Sequence, residues 1–367
     1  MSKLYVRHLP NDSTEFENVL QSAFAAGPVH IGTPGALEIR DRNGAMYAYH
    51  RFMQANGKQV DRYIGGPVGE VTADAEIERI RLIIERATGD VKAVKRFRKL
   101  GYLCMDDKTG ATLAAMHNHH LFEVGLTLIG SHAFGAILNR LGATALNDLT
   151  EDIDVVRPST TQIVFSESAT LLGILQASGL PFIEVSTGLK PGSRSVTHKL
   201  PGNERLLVDL LVSGPDVGKP VFVPELKTYA QAVPHLDYLV NDRMQSIALS
   251  KNYVVPVYVP QAARFAVHKM FSAQTRVNEA SKSEKDIRQA ATMISLIEHI
   301  YPGDIADAMT LFPTSGRPNM LAGARKVERL LQDTDGMAYM ALAQAINTLQ
   351  MLGTDRKSGN KKASPRR

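Results

Sequence analysis

One aspartate interrupts an otherwise apolar run just past the midpoint of the chain, Leu206-Leu207-Val208-Asp209-Leu210-Leu211-Val212. A short run of leucine and valine reads as a strand covered on both faces. A carboxylate inside such a strand is costly unless the fold gives it a partner. Any architecture proposed for this chain must therefore bring something to Asp209.

Candidates stand upstream in Glu151-Asp152-Ile153-Asp154-Val155. On a strand, Asp152 and Asp154 project from the same face. Carboxylates that close repel each other unless a cation sits between them. An oxygen-only set suits Mg²⁺ or Mn²⁺, and a metal shared with Asp209 would supply its partner. Earlier still, the apolar stretch Leu126-Thr127-Leu128-Ile129 runs into Gly130-Ser131 and an amphipathic helix follows at once. Gly130 permits a sharp turn and close approach of a ligand to the backbone. Ser131 sits where an N-cap belongs, and free N–H groups at a helix start favour an anion, phosphate above all. Taken alone, the Gly-Ser pair reads first as a plain serine-capped helix. The combination of the turn, the Asp-x-Asp and the strand aspartate is far more specific.

The remaining chain organises around this middle third. In residues 1–35 Asp12 caps a short helix ended by Gly27-Pro28. Strand-like runs at 36–40, 46–52 and 58–64 are separated by Asn43-Gly44 and Asn56-Gly57, a favoured hairpin pair, which predicts a three-stranded meander. Tyr47, Tyr49 and Arg51 share one of its faces, for base stacking or for packing on the next helix. That helix is expected at 73–87, with Ile77, Ile80 and Ile84 on one side and Gly89 interrupting it. Lys92, Lys95, Arg96, Arg98 and Lys99 follow, as a solvated face or a phosphate-backbone patch. Short Val/Ile/Leu runs then alternate with helical patterns, the signature of a mixed sheet with covering helices. From Ala262 onward the pattern is helical, at 263–274, 284–299, 304–312, 319–332 and 337–351.

Composition adds boundaries. The 367 residues are 44% hydrophobic and 22% charged, which suits a globular chain rather than a disordered or fibrous one. No apolar run is long enough to span a bilayer, and the first residues lack the apolar core of a signal peptide, so a cytoplasmic protein without membrane partners is expected. The lone Cys104 leaves no intrachain disulfide and no cysteine zinc cluster. The net charge of +5 resides in the tail 354–367, which holds six basic residues and one acidic. The tail reads as disordered, either solubilising or attractive to phosphates. His117, His119 and His120 do not share one face of a strand or helix, which disfavours zinc. Residues 187–202, with Lys190, Arg194 and Lys199, read as a long loop that covers the nucleotide or greets the acceptor, or does neither.

The apolar-Gly130-Ser131 turn, Asp152-x-Asp154 and Asp209 resemble the signature of the polymerase-beta-type nucleotidyltransferase superfamily. The interval from Ser131 to Asp152 is longer than the superfamily usually shows, and the loop 143–150 absorbs the excess. A second resemblance, over about 44–299, is to a bacterial family known only as nucleotidyltransferase. It rests on Tyr63-Ile64-Gly65-Gly66-Pro67, on 234–239, on 254–260 with 263–270, and on Lys285-Asp286-Ile287-Arg288-Gln289-Ala290. The layout is similar to that of the abortive-infection nucleotidyltransferase toxins.

These resemblances imply an α+β fold: a nucleotidyltransferase-type mixed β-sheet core with covering helices, an N-terminal β-hairpin/helix module and a C-terminal helical domain. The implied boundaries are 1–108 for the meander and helical module, 109–262 for the core, 263–353 for the helical domain and 354–367 for the tail. They imply two divalent ions, Mg²⁺ or Mn²⁺, bridged by Asp152, Asp154 and Asp209. One ion holds the triphosphate of an NTP that lies against Gly130 and Ser131; the other acidifies an acceptor hydroxyl, with Asp209 aiding its deprotonation. Carried over by position, Lys269 would place a cation near the triphosphate and Asp286 would join the nucleotide site; otherwise the two are a surface lysine and a surface ion pair. The expected acceptor is an RNA end, tRNA first, or a protein hydroxyl or small molecule, with a role in growth arrest or phage defence. The competing reading is a catalytically silent protein of this fold that binds nucleic acid as a regulator.

Overall fold

The computed structural model describes residues 3–146, 151–159, 170–186, 195–202, 205–276 and 279–361. The fold is α+β and divides into two compact units. One holds residues 7–236 with 243–259; the other holds 1–6, 237–242 and 260–367.

Strand β1 (Val6–Arg7) precedes helix α1 (Pro10–Ala25), which starts at Pro10 with Leu9 as N-cap. Asp12 lies in the first turn of α1 instead of capping it, because Pro10, with no N–H to satisfy, already occupies the helix start. Strands β2 (Ala36–Arg42), β3 (Ala45–Met53) and β4 (Gln59–Gly65) form the expected antiparallel meander. Asn43 and Gly44 both take positive φ, 55° and 81°, as a two-residue hairpin turn demands. The inner face carries Ala48, His50 and Phe52, and Gly65 sits 3.2 Å, measured from its missing Cβ position, from Ala73 of the next helix. The tyrosines line the other face. Tyr49 is covered by the Arg40 and Arg42 guanidinium groups, 4.6 and 5.4 Å from its ring centre, and Tyr63 is 54% exposed.

Helix α2 (Val71–Lys99) runs unbroken through Gly89. The expected interruption fails because burial of Ile77, Ile80, Ala87, Val94 and Phe97 along one face outweighs the ~1 kcal/mol penalty of a helical glycine. The basic residues Arg96, Arg98 and Lys99 occupy its last turn, where cations complement the helix dipole, and Arg96 pairs with Glu15. Phe97 packs with Phe16, Leu20, Tyr102, Ile247, Leu249 and Val254 in one cluster. Helix α3 (Asp107–Asn118) is capped by Asp106, which accepts from the Lys108 and Thr109 N–H groups.

Next come β5 (Thr127–Leu128), helix α4 (Gly130–Arg140) and the short β6 (Ala143–Thr144), which pairs with β1 outside the central sheet. β5 joins that seven-stranded sheet with β7 (Asp152–Arg157), β8 (Ile183–Ser186), β9 (Ser195–Lys199), β10 (Leu207–Ser213), β11 (Pro220–Val223) and β12 (Thr228–Val233), and helix α5 (Leu171–Gln176) lies between β7 and β8 in the chain. The path of the sheet is β11-β12-β10-β7-β5, with β9 also on β10 and β8 on β9. β10 is parallel to β7 and β12 and antiparallel to β9. Residues 187–194 of the expected long loop lie outside the described residues, and the rest of it includes strand β9. After α6 (Leu236–Val240), the hairpin β13 (Arg243–Ser250) and β14 (Tyr253–Pro260) supplies Ile247, Leu249 and Val254 to the aromatic cluster.

The second unit is helical: α7 (Ala262–Thr275), α8 (Ala280–Ile300), α9 (Asp304–Leu311), α10 (Arg317–Thr334) and α11 (Gly336–Lys361). The expected tail thus falls partly on α11 and partly on 362–367, outside the described residues. Among the described residues no helix is long and apolar enough to cross a membrane. α10 approaches α7 so closely that a Cβ on Gly323 would overlap the Met270 backbone carbonyl.

Two helical glycines should therefore respond oppositely to alanine. At Gly89 nothing lies within 4 Å of the new methyl group, so Gly89→Ala should stabilise by about 0.5–1 kcal/mol. Gly323→Ala should destabilise by about 1–3 kcal/mol through overpacking against backbone. Urea-unfolding midpoints of the two variants provide the measurement, and shifts of the same sign would contradict the packing described.

Candidate active site

Parallel pairing of β7 and β10 places Asp152 beside Leu207 and Asp154 beside Asp209. Aligned residues of neighbouring strands point the same way, so Asp152, Asp154 and Asp209 share one face of the sheet. That face is partly open: all three are intermediate in exposure, whereas Ile153, Val155, Val208 and Leu210 on the opposite face are fully buried. The lone aspartate of the apolar strand thus meets a second carboxylate directly across the ladder.

Two further elements close on this pair. The first is the β5–α4 turn. The Ile129 N–H donates to the Asp154 carbonyl oxygen at 2.9 Å, carrying extended backbone one residue past β5. Gly130 then turns with φ of +70°, and a Cβ there would overlap the Asp154 carboxylate oxygen Oδ2. Glycine is required twice over, by its φ and by contact. Ile129 is the N-cap of α4, which makes Gly130 the first helical residue and places the buried Ser131 second. The expected serine cap is corrected: the positive φ of Gly130 starts the helix one residue earlier. The first turn of α4 therefore begins beside the Asp154 carboxylate, where the helix dipole is positive.

The second element is β9. Thr197 pairs with Asp209 across the antiparallel ladder, and its hydroxyl donates to Asp209 Oδ1 at 2.6 Å. Sequence reasoning missed Thr197 because it lay in the stretch read as a loop. The alternation in Ser195-Val196-Thr197-His198-Lys199 was the available signal. His198, on the opposite face of β9, is fully buried, and burial pulls its pKa down to about 4, only partly opposed by the Val208 backbone.

Gly130, Ser131, Asp152, Asp154 and Asp209 thus gather within the first unit. Their donor set, carboxylate oxygens beside a helix N-terminus, fits a hard divalent cation and a phosphate. Among the described residues, no three His, Cys, Asp or Glu side chains as oriented here form a ready-made metal cage. Of the clustered histidines, His120 pairs through Nδ1 with Glu123 at 2.9 Å.

Lys269 and Asp286 belong to the second unit. Lys269 on α7 bonds Asp286 Oδ1 on α8 at 2.5 Å, while Ser272 and Arg276 hold Oδ2 at 3.0 and 2.9 Å. Asp286 is 2% exposed and Lys269 8%, so the surface reading of both is corrected. Burial works against ionisation of Asp286, but the Lys269 and Arg276 charges and the hydrogen bonds outweigh it and hold the carboxyl below its usual range. Removing one partner strands a buried charge. Asp286→Ala should cost about 3–5 kcal/mol, measured by urea unfolding, and a loss under about 1 kcal/mol would mean that Lys269 finds another partner.

No curated protein matches the chain significantly. Among solved structures, an antigenic nucleotidyltransferase-like protein from Paracoccidioides brasiliensis is similar over 59% of this chain and 90% of its own, at 18% identity and a TM-score of 0.28, a likeness too slight to bear on the fold. The model of the family described as Nucleotidyltransferase matches residues 107–312, a span that includes Gly130, Ser131, Asp152, Asp154 and Asp209. That match covers more than half of the chain, which therefore belongs to the Nucleotidyltransferase family.

Proposed function

We propose that the protein transfers a nucleoside monophosphate from an NTP to an acceptor hydroxyl, with release of pyrophosphate, in a reaction that depends on Mg²⁺ or Mn²⁺. The observation that supports this reading is the side-by-side placement of Asp154 and Asp209, with the Gly130 turn pressed against Asp154. Asp152, Asp154 and Asp209 are the residues that would hold the metal. The bound ions would neutralise charge on the phosphate oxygens and acidify the acceptor hydroxyl.

In this reading the chain's own groups divide the remaining work. The first-turn N–H groups of α4 and its dipole receive the phosphate tail, and Gly130 lets that tail approach without steric hindrance. Thr197 holds one oxygen of Asp209, and the Asp209 carboxylate takes the proton of the attacking hydroxyl. As that proton leaves, the hydroxyl oxygen bonds to the α-phosphorus and the bond to pyrophosphate breaks. Positioning and charge neutralisation carry most of the rate. The cations at the end of α2 and in the tail support an RNA end, tRNA included, over a protein hydroxyl as acceptor.

The test is label transfer from each α-³²P-NTP to total RNA or lysate protein with Mg²⁺ or Mn²⁺. Asp154→Asn and Asp209→Asn should each reduce transfer by about 10²-fold or more, and EDTA should abolish it. Transfer undiminished in Asp154→Asn would refute the assignment. Salt-dependent RNA binding without transfer, unchanged in the variants, would favour a silent regulator. Gly130→Ala forces a methyl group onto the Asp154 carboxylate and should cost roughly 10²-fold in kcat with RNA binding retained. An alanine variant of full activity would separate the turn from the chemistry.

A further inference from the structure

A cavity lies wholly within the helical unit, far in sequence from the carboxylate site. It has a volume of about 280 Å³ and is lined by Glu298 and Gly303, by Ala306 and Thr310 of α9, and by Ala341, Gln344, Ala345 and Thr348 of α11. Its walls are apolar where Ala306, Ala341 and Ala345 face it.

Most of its side-chain polar atoms are acceptors. Glu298 is 5% exposed and its carboxylate receives a long 3.3 Å hydrogen bond from the Gly303 N–H. The Thr310 hydroxyl donates its proton to the Ala306 carbonyl at 2.9 Å, and the Thr348 hydroxyl donates to the Gln344 carbonyl at 3.0 Å. Each threonine therefore turns only lone pairs to the cavity. Acceptors thus dominate, with the Gln344 amide at the rim able to adapt.

The charges are equally one-sided. No Lys, Arg or His lines the cavity. His299, next to Glu298 in the chain, faces Asp335 at 3.0 Å. Asp304 and Asp307, in the first turn of α9, add negative charge. A buried carboxylate left in this setting resists ionisation, and burial does push the Glu298 pKa up.

The complement of such a cavity is a cation with several N–H donors on a slender apolar stem. We propose that this groove binds a primary alkylammonium group, with the ammonium on Glu298 and the threonine hydroxyls and the methylene chain along Ala306, Ala341 and Ala345. Two sources share that chemistry, a free di- or polyamine and a lysine side chain of a partner protein. The proposal does not rest on nucleotidyl transfer.

Isothermal titration of the full-length protein with 1,5-diaminopentane provides the test, at constant ionic strength, beside n-pentanol and tetramethylammonium. Saturable binding of the diamine is expected, with at least tenfold weaker binding of the alcohol, which lacks charge, and of tetramethylammonium, which lacks N–H donors. Glu298→Gln should weaken the diamine at least tenfold, and Ala341→Leu, which fills the groove without touching its charge, should do the same. Ala341→Leu keeps the test decisive if the glutamine variant misfolds. Equal response to tetramethylammonium, or diamine binding retained in the folded variants, would overturn the proposal. A blocked lysine tripeptide binding more tightly than the diamine would assign the site to a partner's lysine, and the reverse order to a free polyamine.

Discussion

Two carboxylates cannot stand side by side on neighbouring strands without something that takes up their charge. Asp154 and Asp209 are held in that position by the parallel register of β7 and β10, which the apolar residues on the other side of the sheet enforce. A slip of one residue would bury the acids and expose Val208 and Leu210. The hydrophobic face thus fixes where the charges go, and the surrounding polar features answer to it. The Thr197 hydroxyl relieves one oxygen of Asp209, and the Gly130 turn packs the start of α4 against Asp154. A divalent cation would complete the neutralisation, which connects membership of the Nucleotidyltransferase family to the physics of this sheet.

The helical unit treats charge differently. There Asp286 is surrounded by Lys269, Ser272 and Arg276, so a deeply buried acid remains ionised and satisfied. Glu298, more than three turns further along the same helix, has one weak backbone donor and an acceptor-lined groove in front of it. The contrast between two buried acids of α8, one saturated and one waiting, distinguishes a structural ion pair from a groove able to receive a ligand.

What could be read from the sequence was whatever local pattern decides. Alternation in Asp152-Ile153-Asp154-Val155 and around Asp209 was enough to place the acids on one face, and Asn43-Gly44 was enough for the first hairpin. The glycine at 130 was legible as a turn, although its left-handed φ moved the helix start and displaced Ser131 from the cap. Local propensity misled at Gly89, where a long buried face carries the helix across an unfavourable residue. Features that need distant partners were not legible: Thr197 became meaningful only once β9 paired with β10, and the burial of Lys269 and Asp286 depends on how α7 meets α8. The tyrosine face of the meander was readable as a face, but its arginine cover comes from β2.

Strand β10 is hydrogen-bonded along both edges, by β7 on one side and by β9 and then β12 on the other. It has no loose margin from which to fray. The placement of Asp209 is therefore secured by the cooperative unfolding of the whole sheet, whereas Thr197 rides on a strand whose outer neighbour, the four-residue β8, is the rim. Local breathing at that rim would release the threonine hydroxyl while leaving the carboxylate where it stands, so the acid's hydrogen-bonding state can fluctuate on a timescale at which its position does not.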